Sequence, residues 1–268
     1  MKKILIIGST GFIGSYLHKH LSKTHTVYCI DKTNVDVLNT EQVTKFLRLV
    51  SPNVVINCLT FGGKENVNSI NSEFVGKNLS LFYNFFINSH CYDLYINIGS
   101  GAEFDKTKNI DLVKEKDIFE SFPKDAYGFA KNLIARQINS LDKFSTLRLF
   151  GCFGSNEPDL RLLKKYSSSK DLFALNDRYF DYISIQDFSK IVEFVIENNL
   201  KGIDINCVYK DKILLSQFLS LYDQINNRQS NFGVSSVDKL NYTGDSSLLD
   251  IIGIDLNGLE HGLREYNV

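Results

Sequence analysis

No apolar run in this chain of 268 residues approaches the roughly 18 needed to cross a bilayer, which argues against a helical membrane span. Met1-Lys2-Lys3-Ile4 has the charged opening of a signal peptide. Gly8 and the polar Ser9-Thr10 end its apolar run early, however, and no small-residue cleavage site follows. Charge of one sign is also lacking. With 30 basic and 31 acidic residues the net charge is −1, so neither nucleic acid nor an anionic membrane surface is expected as a partner. A local basic pocket for a phosphate-bearing ligand stays open. Cysteines are few and scattered: Cys29, Cys58, Cys91, Cys152 and Cys207 contain no Cys-x-x-Cys pair, which excludes the usual zinc and disulfide frameworks. They read as buried thiols of a reducing cytoplasm. His18 and His20 lie two apart on a predicted helix and point to different faces, so no metal site is expected there.

What is present is ordinary for a soluble globular protein, with 43% hydrophobic and 23% charged residues. Short β-branched or apolar runs alternate with stretches of helical spacing. Ile4–Ile7, Val27–Ile30, Val54–Cys58, Leu94–Ile98 and Thr146–Phe150 read as buried strands. Phe12–Leu21, a helix ending before Pro52, Leu79–Phe86 and about Ala126–Ser140 read as helices. This alternation predicts an α/β fold, a doubly wound parallel sheet of Rossmann type with helices on both faces. After Phe150 the pattern loosens into loops around Gly154, Pro158 and Ser167–Ser169. A helix over Phe188–Ile196, a strand at Ile203–Val208, a helix at Leu214–Ile225 and short pieces broken at Gly253 and Gly258 follow. The expected division is a dinucleotide-binding domain over 1–155 plus about 179–202. A small C-terminal substrate lobe is expected over about 156–178 and 203–268.

Gly8-Ser9-Thr10-Gly11-Phe12-Ile13-Gly14 falls between the first strand and the first helix. Glycines permit the tight turn there and let backbone N–H groups approach a pyrophosphate at the positive end of the helix. In that setting the motif is far stronger than a lone glycine pattern. Asp31 follows the second strand, 23 residues after Gly8, where a carboxylate bonds the ribose hydroxyls of NAD and repels a 2′-phosphate. The alternative for Asp31 is a solvated strand-end carboxylate. Lys32 could offset its preference by accepting a phosphate.

Tyr127 and Lys131 form a Tyr-x-x-x-Lys pair, which on a helix places phenol and ammonium on one face. The ammonium is expected to stabilise phenolate and lower a tyrosine pKa ordinarily near 10, tuning the phenol for proton transfer. The same spacing occurs at Tyr28/Lys32 and Tyr166/Lys170. Tyr28 falls in a strand and Tyr166 in the loop-rich region, so position selects Tyr127. Ser100 follows the strand ending at Ile98, at the edge that carries the glycine loop, and either bonds the reacting oxygen or is a turn serine. Asn78, placed at the start of the preceding helix, either pins the loop beneath the cofactor or caps the helix.

Together Gly8–Gly14, Asp31, Ser100–Asp105, Tyr127/Lys131, Arg148–Gly154 and Phe180–Asp187 give the chain a resemblance to extended short-chain dehydrogenases/reductases. More narrowly, it resembles the NAD-dependent epimerase/dehydratase family. Asp36–Asn39, Ser51–Asn57 and Ser100–Asp105 are similar to its nucleotide-sugar 4-ketoreductases. The resemblance implies a Ser100–Tyr127–Lys131 triad. It also implies a cofactor site of Gly8, Thr10, Gly11, Phe12, Ile13, Gly14, Asp31, Lys32, Asp36, Val37, Cys58, Leu59, Thr60, Asn78, Tyr127 and Lys131, with Phe150 approaching the nicotinamide. NAD(H) is the favoured cofactor, with NADP(H) as the alternative. Glu103, Phe104, Arg161 and Arg178 are the substrate candidates. The family's dehydratases carry an acidic pair where this chain has Gly101 and Ala102, so dehydration is not expected. Many epimerases have an arginine where this chain has Phe180, which leaves Arg178 or Arg161 to hold a substrate phosphate. Tryptophan is absent, so stacking on a nucleobase falls to Phe or Tyr. The expected reaction is reduction of a keto group, at C4, on a nucleotide-activated sugar. The alternatives are a 4-epimerase with tightly bound NAD and a non-catalytic NAD-binding regulatory protein. A homodimer formed through the Leu79–Phe86 and Leu133–Ile138 helices is expected by resemblance.

Overall fold

The computed structural model describes residues 1–31, 33–62, 71–169, 171–237 and 240–266. The elements run β1 Lys3–Ile7, α1 Phe12–Leu21, β2 Thr26–Ile30, α2 Thr40–Val50, β3 Val54–Asn57, α3 Ser72–Phe86, β4 Leu94–Ser100, β5 Ile110–Val113, α4 Ala126–Ile138 and β6 Phe144–Leu149. They continue as β7 Cys152–Phe153, α5 Leu162–Ser168, β8 Phe173–Asp177, β9 Ile183–Ser184, α6 Ile185–Glu197, β10 Asp204–Asn206, α7 Leu215–Ile225, β11 Phe232–Val237, β12 Tyr242–Gly244, α8 Ser247–Ile252 and α9 Leu259–Arg264. Six strands form one sheet in the order β10-β6-β4-β3-β1-β2. Every pairing in it is parallel. The doubly wound α/β expectation is therefore met.

A parallel sheet is covered on both faces, and the strand sequences divide accordingly. Ile4, Ile6, Val54, Ile56, Ile96 and Leu147 pack with α1, α6 and Leu249 of α8. Their neighbours in the pleat, Leu5, Ile7, Val55, Tyr95 and Phe144, pack with α2, α3 and α4. A separate apolar cluster joins Phe153, Leu163, Tyr166, Leu175, Phe218, Tyr222, Leu263 and Tyr266.

Several expectations change. Asp204–Asn206 pairs with β6 and forms the edge of the main sheet, and residues around Leu249 pack on that sheet's core. The stretch from 203 onward is thus not all separate from the sheet, because its first strand finds a free sheet edge in register with Thr146–Arg148. Tyr166 lies on helix α5, not in a loop, and its buried phenol donates to Asp223. Helix α3 begins at Ser72 and is capped by Asn71, so Asn78 sits within the helix and is not its cap. No helix among the described residues is long and apolar enough to cross a membrane.

Candidate active site

The carboxyl ends of β1, β2, β3, β4 and β6 share one edge of the sheet, and the loops that follow them build the site. After β1, Gly8 takes φ +80°, and a Cβ on it would stand 2.9 Å from the Leu59 backbone nitrogen. A Cβ on Gly14 would stand 2.2 Å from the Gly8 carbonyl oxygen, so only glycine lets α1 close on the loop. A Cβ on Gly11 meets only the Gly8 oxygen at an ordinary 3.5 Å. Space inside the protein therefore does not require that glycine, whereas close approach of a ligand would. Helix α1 has no side-chain cap and no acidic residue in its first turn, which leaves its positive end open to an anion. Beside it lies a cavity of about 230 Å³ lined by Gly8, Thr10, Asp31, Asp36, Val37 and Leu59, among others. Its apolar walls and single polar rim suit an adenosine, and the open helix end suits a pyrophosphate. A dinucleotide thus fits the residues present.

Asp31 accepts from the Thr33 N–H and hydroxyl, which hold its carboxyl below the usual range and hence ionised. Asp36 caps its own turn by accepting from Leu38 N–H. Asn78 does pin the loop after β3. Its carbonyl accepts from the Thr60 hydroxyl at 3.1 Å and from Phe61 N–H at 3.0 Å, and its amide donates to Phe61 O. Cys58 lies near Lys131, and burial pushes its thiol up to about 12 against the pull of that cation. Phe12 and Ile13 pack on the sheet core, with the Arg161 guanidinium 5.6 Å above the Phe12 ring. Lys32 falls outside the described residues.

Ser100 ends β4 and opens a 3-10 turn over Gly101–Glu103. Its Oγ accepts from Ala102 N–H at 3.2 Å, and its own N–H donates to Glu103 Oε1 at 2.9 Å. Helix α4 is clamped to that turn. A Cβ on Gly128 would lie 2.4 Å from the Ala102 oxygen, and the Asn132 amide donates to Glu103 O at 2.8 Å. This close approach brings the Tyr127 phenol beside the Ser100 hydroxyl. One turn on, the buried Lys131 Nζ donates to Ile98 O at 2.7 Å. Burial lowers its pKa, opposed by Glu103 and Cys58. Burial also raises the Tyr127 pKa, opposed by the neighbouring Ser100 hydroxyl and by Arg161. The phenol is therefore held as an acid. This differs from the expected lowering by Lys131, because the ammonium is itself desolvated and turned to a carbonyl. A second cavity of about 250 Å³ is lined by Lys106, Phe150, Arg178, Phe180, Asn241 and Tyr242, with Ile110 and Leu240.

The model of the NAD dependent epimerase/dehydratase family matches residues 4–207. The chain belongs to that family. Among solved structures it is similar to a GDP-mannoheptose C4 reductase from Campylobacter jejuni with NADP bound, at 16% identity and a TM-score of 0.80, covering 98% of this chain and 96% of that one. It is also similar to a dTDP-4-dehydrorhamnose reductase from Clostridium acetobutylicum, at 21% identity and a TM-score of 0.78, covering 98% of each chain. A GDP-L-fucose synthetase from Naegleria fowleri follows at 15% identity and a TM-score of 0.77, covering 98% and 92%. At these identities the likeness is one of fold. No curated protein sequence matches the chain.

For a member of this epimerase/dehydratase family, the substrate side departs from the residue-level expectations. Glu103 is fully buried and paired with Arg148 at 2.6 Å, so it faces the protein and not a ligand. Burial raises its pKa against the pull of Arg148. Phe104 is likewise buried, stacked on Phe150 and lying 5.3 Å from the Arg148 guanidinium. Both residues serve the turn that carries Ser100. Phe150 lines the second cavity. Arg178 lines that cavity too, 5.3 Å from the Phe180 ring, whereas Arg161 donates to Cys152 O and stays near Tyr127. The motifs missed Gly128 and Asn132, which seat α4, and Tyr242, which comes from β12. For the first two, position within the Tyr-x-x-x-Lys helix was an available signal. Tyr242 has no local pattern, because strand pairing far along the chain brings it in.

Proposed function

We propose that this protein reduces a keto group, at C4, of a nucleotide-activated sugar, using NAD(H). The observation that carries the reading is the convergence of Ser100 and Tyr127 at the sheet edge that also presents the glycine cradle. Gly8–Gly14 would hold the pyrophosphate, Asp31 the adenosine ribose, and Lys131 the nicotinamide ribose. Bound there, the reduced nicotinamide supplies hydride to the ketone carbon. Tyr127 supplies the proton to the ketone oxygen, and its raised pKa keeps that proton in place at neutral pH. Ser100 fixes the oxygen by hydrogen bonding. The aromatic floor of Phe150, Phe180 and Tyr242, with Arg178 and Lys106 at its rim, suits a sugar linked to a diphosphate. Two of the structurally similar proteins are themselves named as reductases of nucleotide sugars. Those structurally similar proteins include NADP-bound ones, whereas the ionised Asp31 in the adenosine cavity opposes a 2′-phosphate here.

The test is turnover of a panel of 4-keto-6-deoxy nucleotide sugars by the purified protein. Absorbance loss is expected with NADH and is expected to be weaker with NADPH. No loss with any sugar or cofactor defeats the reading. Retained NAD with interconversion of 4-epimers and no net consumption replaces it with a 4-epimerase.

The same reading includes a cytoplasmic homodimer. Helices α3 and α4 pack side by side, with Tyr83 and Ile87 exposed and Leu79 and Leu133 half-buried on them. Sedimentation is expected to show a dimer that Leu133→Glu converts to a monomer. A wild-type monomer at every concentration overturns it.

A further inference from the structure

Tyr242 reaches the site from the far end of the chain. Its backbone is fixed on both sides: its N–H donates to Tyr179 O at 2.9 Å, and its carbonyl accepts from Asp181 N–H at 3.0 Å. It also pairs with Ile110 of β5. The ring is buried, edge-on to Phe150 at 5.2 Å and tilted on Phe180 at 4.9 Å. This leaves its hydroxyl aimed at the turn that carries Ser100. A Cβ on Gly101 would stand 2.7 Å from that hydroxyl and 2.6 Å from the Phe150 ring. The glycine at 101 is therefore what admits the Tyr242 hydroxyl.

The Ser100 hydroxyl now has three neighbours. It offers one proton and two lone pairs. Ala102 N–H occupies one lone pair. Both phenols, Tyr127 and Tyr242, lie beside the same serine and its turn. Should Tyr127 fill the remaining lone pair, its proton would be turned away from the cleft. We propose that Tyr242 is a positioning residue whose phenol donates to the second lone pair of Ser100, so that the Ser100 and Tyr127 protons both stay directed at the substrate oxygen. The Tyr242 phenol is suited to this. Burial raises its pKa, with Tyr127, Glu103 and Asp125 adding to the effect, and the group stays a neutral donor. Because Tyr242 is held by Tyr179 and Asp181, seating of that C-terminal segment also sets the direction of the catalytic hydroxyl.

The assignment rests on Ser100 and Tyr127 forming the reducing site, and its test separates the two claims. Tyr242→Phe, Ser100→Ala and the double variant are compared in the full chain. Without any substrate, urea unfolding is expected to show coupling. The two single effects on the unfolding constant should fail to multiply by about threefold to tenfold, as contacting groups do. With a nucleotide sugar the protein accepts, Tyr242→Phe is expected to lower kcat about tenfold with KM within about twofold, and the double variant to be no slower than Ser100→Ala. Effects that multiply independently in unfolding, or an unchanged kcat in Tyr242→Phe, overturn the assignment. If the wild type reduces none of the sugars, the reductase reading fails, and the unfolding coupling still decides whether Tyr242 holds Ser100.

Discussion

Tyr127 stands half-buried against Ser100, with its phenol pKa raised by desolvation and Lys131 turned to the Ile98 carbonyl. A proton donor must be protonated to act, so a raised pKa moves its failure to higher pH. Ketone reduction is accordingly expected to hold level through neutral pH and fall on the alkaline side, as measured by kcat against pH. Tyr127→Phe removes only the hydroxyl. It is expected to lower kcat by about 10²–10⁴-fold while leaving NADH binding, followed by fluorescence, within about twofold. A Tyr127→Phe protein with near wild-type turnover would remove the phenol from the chemistry.

At the scale of elements, the site depends on close approaches and one buried ion network. Helix α1 closes on the first loop only because Gly14 lacks a side chain, its Cβ position being 2.2 Å from a backbone oxygen that cannot swing aside. Gly14→Ala is expected to cost about 1–3 kcal/mol in urea unfolding and to abolish measurable NADH binding. Arg148, on β6, joins three segments. It bonds Glu103 at 2.6 Å beneath the Ser100 turn, and Asp204 at 2.9 Å and Asn206 at 3.0 Å on β10. Burial alone would lower its pKa, but Asp204 and Glu103 raise it, so it stays charged. Removing the cation leaves two carboxylates without their partner in a dry setting. Arg148→Met is expected to destabilise by about 3–5 kcal/mol, and adding Glu103→Gln is expected to restore part of that. Equilibrium unfolding of the single and double variants measures both.

Across the whole molecule, three separate stretches of the C-terminal third meet at Asp181. Its carboxylate accepts from Lys212 Nζ at 2.9 Å and from Gly244 N–H at 2.8 Å, next to Tyr242. Burial lifts its pKa to about 6, with Lys212 and Gly244 pulling the other way. The folded chain therefore keeps a proton that the unfolded chain, with an ordinary value near 4, has released. Between about pH 4 and 6 the native state binds more protons, so Asp181's contribution to stability falls as pH rises through that window. Asp181→Asn is expected to flatten the wild-type decline in Tm between those pH values. An identical pH profile in the variant would show that Asp181 does not titrate there.

The order of the main-sheet strands and their helices was legible in residue pattern as far as β6, because strands buried on both faces must be apolar throughout and helices must alternate, whereas the half-exposed β5, which lies outside that sheet, was not. The glycine loop, Asp31, Ser100 and the Tyr127/Lys131 pair were legible too, since each is a local spacing set against a strand end or a helix start. Position alone separated Tyr127 from Tyr28 and Tyr166, even though Tyr166 proved to be on a helix. The fate of Glu103 was not legible. A carboxylate three residues past a strand reads as a ligand until Arg148, 45 positions later, is seen to neutralise it. Nor was the role of Asp204–Asn206, whose strand is placed by a free edge and not by its own composition. Tyr242 shows the limit most plainly, because nothing near it in the chain marks it. Short-range spacing determined where chemistry could be anchored. Pairing between distant segments decided which side chains are desolvated together, and that desolvation sets both the protonation of Tyr127 and the partners of Ser100.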